Sequence, residues 1–200
     1  MRKIGFAPFL AVSLALGLSA CVAPTGPIEV TRFHAPDISA LGKGTIAVVP
    51  APGQDGASLE WRTYQGAVER ELARLGYAAA AAGSTPGQVA ELRLRRETFR
   101  PGRERGPVSV GVGGSTGSYG SGVGLGIGIN LGGGQGEQVQ TDMGVMIKTR
   151  ATNTTLWEGR ASYAVGVKSP LAETGLGAAK MAEALFRDFP GQSGETIAVK

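Results

Sequence analysis

The chain of 200 residues has one cysteine, one histidine and few aromatic side chains, 6% Phe, Trp and Tyr together. A single thiol excludes a disulfide within the chain. With Cys21 and His34 alone as soft ligands, a zinc or copper site would rest on carboxylates, so no metal is expected. A Ser/His/Asp arrangement would have to use His34, which stands early in the chain near Pro36. A surface or edge histidine is the better reading, and no catalytic residue or cofactor is assigned.

Excess charge of one sign is scarce too. The 20 basic residues face 16 acidic ones, and Arg2 and Lys3 belong to an N-terminal segment set aside below. The remainder holds 18 basic against 16 acidic side chains, a charge of +2, which gives a nucleic-acid partner little electrostatic support. Glycine is what abounds, at 33 residues, alongside 42% hydrophobic residues. One domain with a sizeable core fits this length, and some of the chain must be thinly packed.

Residues 1–20 read as a secretory signal: Arg2 and Lys3 open it, an apolar run from Ile4 to Leu16 follows, and small residues close it. Its end, Leu18-Ser19-Ala20-Cys21, looks like a bacterial lipobox, after which the cysteine is lipidated and becomes the N-terminus. A plain membrane-spanning anchor is the alternative, since the run is near the lower limit of about 17 residues, but Gly5, Pro8 and Gly17 weaken it. Acyl chains on Cys21 would each contribute about 0.8 kcal/mol per buried methylene, so two or more anchor stably. Val22 stands where an aspartate would favour the inner membrane. The expected address is therefore the outer membrane, lipid-anchored and facing the periplasm, with 21–27 as a tether containing Pro24 and Pro27.

The domain is expected over 28–191. Alternation predicts strands at Ile28 to His34, with Ile28, Val30 and Arg32 on one face, and at Gly44 to Pro50. Trp61, Tyr64, Val68, Leu72 and Leu75 recur at helical spacing, with Ser58 and Gly76 as caps. A strand with one wet face follows, Leu92 and Leu94 alternating with Arg93 and Arg95. Val139, Thr141, Met143, Val145 and Ile147 define another, which the turn Thr152 to Thr155 joins to a strand with Trp157, Tyr163, Val165 and Val167 on one face. A closing helix has Ser169 as cap, Pro170 at its first position and Met181, Leu185 and Phe189 as its stripe, before Pro190-Gly191. The tail 192–200 is expected to be loose. The predicted fold is an α+β two-layer sandwich: a largely antiparallel sheet, two helices on one face and a glycine-rich β-hairpin extension.

That hairpin spans 107–136 and contains SGVGLGIGINLGGG, where glycine alternates with Val123, Leu125, Ile127, Ile129 and Leu131. It lacks both Gly-x-Gly-x-x-Gly and a P-loop's Lys-Ser/Thr ending, so phosphate binding is set aside. Its period of two fits a hairpin with one almost bare face. Three readings stay open: a thin hairpin extending the sheet, a hairpin that enters a membrane or joins protomers, and disorder.

The segments LARLGY, AELRL, TLWEGRA and ALFRDFP, in that order, resemble the domain-of-unknown-function 4136 family of bacterial lipoproteins. Leu72, Gly76 and Tyr77 match its helix-ending turn, Ala90, Glu91 and Leu92 its following strand, Trp157 with Gly159 its Trp-x-Gly hairpin, and Phe189 with Pro190 its helix end. The family's aromatic front strand is replaced here by GTIAVVPAP. The resemblance implies the fold and the lipoprotein address, and no activity.

Other candidates carry weaker signals. Arg93, Arg95, Arg96, Arg100, Arg103 and Arg105 could meet anionic head groups, against the reading of a solvated strand end with internal ion pairs. Asp142 and Glu158 are formal candidates for paired glycosidase carboxylates, although Asp142 falls on a polar face where charge is ordinary. Trp61, Tyr64, Trp157 and Tyr163 lie at core spacing, which outweighs a sugar-stacking platform. The leading expectation is a non-enzymatic outer-membrane lipoprotein with a binding or scaffolding domain. Its partners would be the membrane through Cys21 and another envelope protein or a second copy through 107–136. The alternatives are a subunit of an oligomeric envelope assembly and, more weakly, an envelope hydrolase.

Overall fold

The computed structural model describes residues 26–81, 83–101, 109–111, 126–128 and 136–200. The signal segment 1–20, Cys21, Arg103, Arg105 and most of 107–136 lie outside the described residues.

The elements run β1 (Ile28–His34), β2 (Thr45–Pro50), α1 (Leu59–Arg74), β3 (Ala78–Ala79), β4 (Gln88–Phe99), β5 (Ser109–Gly111), β6 (Gly126–Gly128), β7 (Gln138–Thr149), β8 (Thr155–Gly166), a 3-10 turn (Pro170–Ala172), α2 (Thr174–Phe186) and β9 (Thr196–Val199). The main sheet has seven strands in the order β3-β2-β4-β7-β8-β1-β9. Only β2 pairs in parallel, with β3 and β4; all other ladders are antiparallel. Both helices cover one face, so the fold is the expected α+β two-layer sandwich.

Side-chain alternation explains why one face closes and the other stays open. The register stacks inward residues in cross-strand rows: Ala90, Ile147 and Trp157; Leu92, Val145, Gly159 and Arg32; Leu94, Met143, Ala161 and Val30; Arg96, Thr141 and Tyr163. Neighbours in such rows sit about 5 Å apart and pack as pairs. The buried stripe of α1 (Trp61, Tyr64, Val68, Leu72) and that of α2 (Ala178, Met181, Ala182, Leu185) close over them. Trp61, Tyr64, Trp157 and Tyr163 are thus all core residues. On the opposite face, polar residues dominate, and Lys148 is buried there against Glu91 at 2.9 Å.

The helix ends follow their local chemistry. Ser58 Oγ accepts from the Trp61 backbone N–H at 3.1 Å, which satisfies one of the four free donors at the start of α1. The helix closes through Leu75 into Gly76 at φ +99, where a side chain would meet the Gly42 carbonyl at 2.8 Å. Ser169 does act as a cap, but of the 3-10 turn: Pro170 begins that turn, and α2 starts four residues later at Thr174. Phe189 consequently lies beyond the helix, in the turn that follows it.

Two further expectations are corrected. Residues from Gln192 onward are not a loose tail, because Thr196–Val199 pairs antiparallel with β1 and Val199 is buried. The strand forms because β1 would otherwise present unpaired backbone groups on its outer edge. Val167 does not share the inward face: it lies past the end of β8, with its N–H on the Glu137 carbonyl at 3.1 Å, and is exposed. Within the glycine-rich stretch, β5 and β6 pair antiparallel, Ser109 with Gly128 and Gly111 with Gly126, in a sheet of their own.

Candidate functional site

One end of the sandwich gathers most of the distinctive chemistry. At it lie the last residues of β4, the first of β7, the last of β8, and the N-termini of both helices. A cleft of about 330 Å³ opens there, lined by Glu60, Arg96, Glu97, Thr98 and Val139.

Arg96 organises this end. Alternation from Leu92 and Leu94 turns its side chain inward, opposite to Arg93 and Arg95. Its Nη1 donates to Glu60 Oε1 at 2.8 Å and to Thr174 Oγ1 at 2.8 Å, while Nη2 donates to the Ala172 carbonyl. One guanidinium therefore ties the first turn of α1 to that of α2. Burial works against the charge, but the Glu60 hydrogen bond and the neighbouring Tyr64 outweigh it and hold the Arg96 pKa above the usual guanidinium value.

Behind Arg96 the core is polar. Thr141 and Tyr163 continue its row across β7 and β8, and Tyr64 packs over them from α1. Tyr163 donates to the Leu171 carbonyl at 2.8 Å. Tyr64 Oη, Thr141 Oγ1 and Arg96 Nε are buried and find no hydrogen-bond partner among the described residues. Burial pushes the Tyr64 pKa well above that of a free phenol; Tyr163 adds to the rise, and the Arg96 charge opposes it. The row thus offers neutral hydroxyls and one fixed cation, and the nearest carboxylate, Glu60, is neutralised by Arg96. Such a set can brace helices or accept a polar ligand's hydrogen bonds, and it contains no poised general base.

The structure separates most of the sequence-derived candidates. Arg93 and Arg95 lie on the open sheet face, and Arg95 bridges to Glu97 at 3.0 Å. Arg96 is turned inward and ion-paired, so it does not share a surface patch with Arg93 and Arg95. Arg100 is exposed just beyond β4. Asp142 accepts from Gln140 at 3.0 Å, and Glu158 pairs with Arg160 at 2.6 Å. Glu158 stands opposite Met146, four residues along β7 from Asp142, or about 13 Å at the usual strand rise. That separation exceeds the roughly 5 to 9.5 Å between the carboxyls of a glycosidase pair. His34 Nδ1–H donates to the Ala35 carbonyl at 2.8 Å, a local contact at the edge of the fold. Among the described residues no three His, Cys, Asp or Glu side chains converge.

Trp157 with Gly159, and Phe189 with Pro190, occupy the other end, and their role there is packing. Trp157 stacks on Phe186 with ring centroids 5.3 Å apart and meets Phe189 in a tilted contact at 5.2 Å, and its Nε1 donates to the Pro190 carbonyl at 2.9 Å. The ring lies across Gly159, where a Cβ would strike the indole and come within 2.8 Å of Leu185 Cδ1. Beside them, Arg32 donates from Nε to the Leu185 carbonyl and from Nη2 to the Ala184 carbonyl, each at 3.0 Å, closing the C-terminus of α2.

No family model matches the chain. The uncharacterized protein ZMO1243 of Zymomonas mobilis is 31% identical over the whole of this chain and 90% of its own length. Among solved structures, a PDZ domain protein from Parabacteroides distasonis superposes with a TM-score of 0.51 at 13% identity, over 87% of this chain. The chain spans 39% of that structure's length, and the likeness is one of fold. The PelC dodecamer from Paraburkholderia phytofirmans aligns with 79% of this chain and 97% of its own at a TM-score of 0.40 and 12% identity.

Proposed function

The chain belongs to the same family as the uncharacterized Zymomonas mobilis protein, and from that premise we propose a lipid-anchored envelope protein whose α+β domain is a non-enzymatic binding or scaffolding module. The observation that carries the proposal is Leu18-Ser19-Ala20-Cys21, a lipobox-like end to an apolar signal, with the folded domain starting seven residues later at Ile28. The protein is then held at the outer membrane by acyl chains on Cys21 and faces the periplasm. Its likeness to the DUF4136 lipoproteins, in Trp157 with Gly159 and Phe189 with Pro190, supports the same address. Among the described residues no helix is long and apolar enough to cross a membrane.

The non-enzymatic reading rests on how the polar side chains are spent. Asp142 and Glu158 are too far apart to act on one bond, and Glu60 is occupied by Arg96. Fractionation tests the address: the native protein should sediment with membranes, and Cys21→Ser should leave it in the soluble periplasm. Hydrolysis of a peptidoglycan or glycolipid substrate that disappears in Asp142→Ala or Glu158→Ala would overturn the non-enzymatic role.

A second reading, an assembly subunit, is favoured by the separate β5–β6 ladder, whose edges the main sheet does not cover. It predicts detergent-stable oligomers that fall to monomers on deletion of 111–136.

A further inference from the structure

We infer that the end of the sandwich bearing both helix N-termini is a lipid-contacting surface, seated on the bilayer that holds the acyl chains of Cys21. The inference rests on the proposal that Cys21 is acylated.

Three observations converge on this end. The first is exposed apolar surface. Six large hydrophobic side chains are exposed among the described residues, and four of them are here: Leu59 at 80% exposure, Leu176 at 54%, Val167 at 40% and Phe99 at 39%. Arg96 binds both Glu60 and Thr174, which brings the first turns of the two helices, with Leu59 and Leu176 in them, to this end. Phe99 pairs with Gln138 and Gly166 pairs with the same residue from the other side, so Phe99 and Val167 flank the start of β7. An exposed leucine in the first turn of a helix buries little apolar area in water, and two at one end of the fold add apolar surface there.

The second observation is where the chain leaves the domain. Glu29 pairs with Ser162, which pairs with Asp142, so β1 begins toward this same end and the tether departs from it. Seven steps from Cys21 to Ile28 reach at most about 25 Å fully extended. The 12-residue strands β4, β7 and β8 are longer than that, about 40 Å. A domain on so short a leash, leaving from one end of its long axis, presents that end to the membrane.

The third is the local charge. Phe99 and Val167 are each followed by an exposed base, Arg100 and Lys168, the order in which an apolar residue enters lipid and a cation stays with the head groups. Glu137 and Glu173 are exposed acids at this end, so the charges nearly balance and the apolar side chains carry the contact. Binding is therefore expected to be weakly dependent on salt.

The test uses the full lipoprotein in phosphatidylethanolamine and phosphatidylglycerol vesicles. Single cysteines are introduced by Leu59→Cys and Leu176→Cys at this end and by Ile38→Cys at the other, and labelled with a polarity-sensitive fluorophore; all three parent side chains are exposed, so folding is not at stake. The expected result is quenching by a bilayer-borne nitroxide that is about threefold or more stronger at 59 and 176 than at 38, with a blue-shifted emission. Mass measurement of the Cys21 peptide runs in parallel. An acylated Cys21 with equal quenching at all three sites overturns this inference alone; an unmodified Cys21 overturns the proposed anchoring and this inference with it. Disulfide dimers through Leu59→Cys without lipid quenching would assign the surface to a second copy and also overturn it.

Discussion

Replacing Arg32 with methionine should destabilise the domain by about 3 kcal/mol, a value that follows from what its guanidinium does. The side chain is 4% exposed and supplies two charged donors, at 3.0 Å each, to the Leu185 and Ala184 carbonyls at the end of α2. Those carbonyls have no partner within the helix, and a buried acceptor left without one costs about 1–3 kcal/mol. Loss of a cation from a helix C-terminus adds up to about 2 kcal/mol in a partly buried setting. Against this, burial already opposes the Arg32 charge and lowers its pKa, with Asp188 and Glu195 offsetting the effect in part, so removing the charge returns some desolvation energy. Methionine fills most of the volume and donates nothing, which isolates the polar contribution from a cavity. In a domain of this size the net loss corresponds to a fall in Tm of about 6–12 °C. Urea unfolding gives the free energy, and amide exchange should show faster opening of the last turn of α2 before the strands of the sheet. Arg32→Lys should recover only part, because one ammonium does not reproduce the guanidinium fork. A loss below about 1 kcal/mol in Arg32→Met would refute the assignment of Arg32 as the closing group of α2.

Gly159→Ala places a methyl against the Trp157 indole and Leu185, and should cost about 1–3 kcal/mol by overpacking, read as a lower urea midpoint with an unchanged m-value. Tyr64→Phe removes a buried hydroxyl with no partner among the described residues, so stability near pH 7 should stay level or rise, by up to about 1 kcal/mol. The same variant should flatten the alkaline limb. The folded pKa of Tyr64 is raised above its unfolded value, so the contribution is complete below about pH 10 and is lost as pH rises through the folded pKa. Wild type should lose stability above pH 10 more steeply than Tyr64→Phe in parallel unfolding titrations. Ser58→Ala should cost about 1 kcal/mol by freeing the N–H of Trp61, and Ser58→Gly only a few tenths, measured the same way.

The strands β4, β7 and β8 and both helices were legible because each buries one face and so carries a strict period. The short β9 was not, because four residues after a Pro-Gly stop carry only Ile197 and Val199 as signal, and the pairing partner lies far back in β1. Alternation placed Arg32 inward, but its acceptors are more than 150 residues away in sequence and only the tertiary fold brings them together. Arg96 shows the converse. Read as one of a basic cluster, it sits two residues past Leu94, so the same alternation already turned it into the core. Nothing local marks Glu60 and Thr174 as its partners, since they belong to two different helices. Gly159 was visible as a motif position, and its reason, the indole lying across it, is a matter of side-chain packing that periodicity does not encode.

The proposed anchoring of the domain through Cys21, with Leu59 and Leu176 toward the lipid, depends on the processing of residues 1–20. Intact mass measurement of the membrane-extracted protein tests this most directly. The expected chain begins at Cys21, lacks residues 1–20 and carries the added mass of its acyl groups. A chain that retains residues 1–20, or that begins at or near Cys21 with an unmodified thiol, would contradict it.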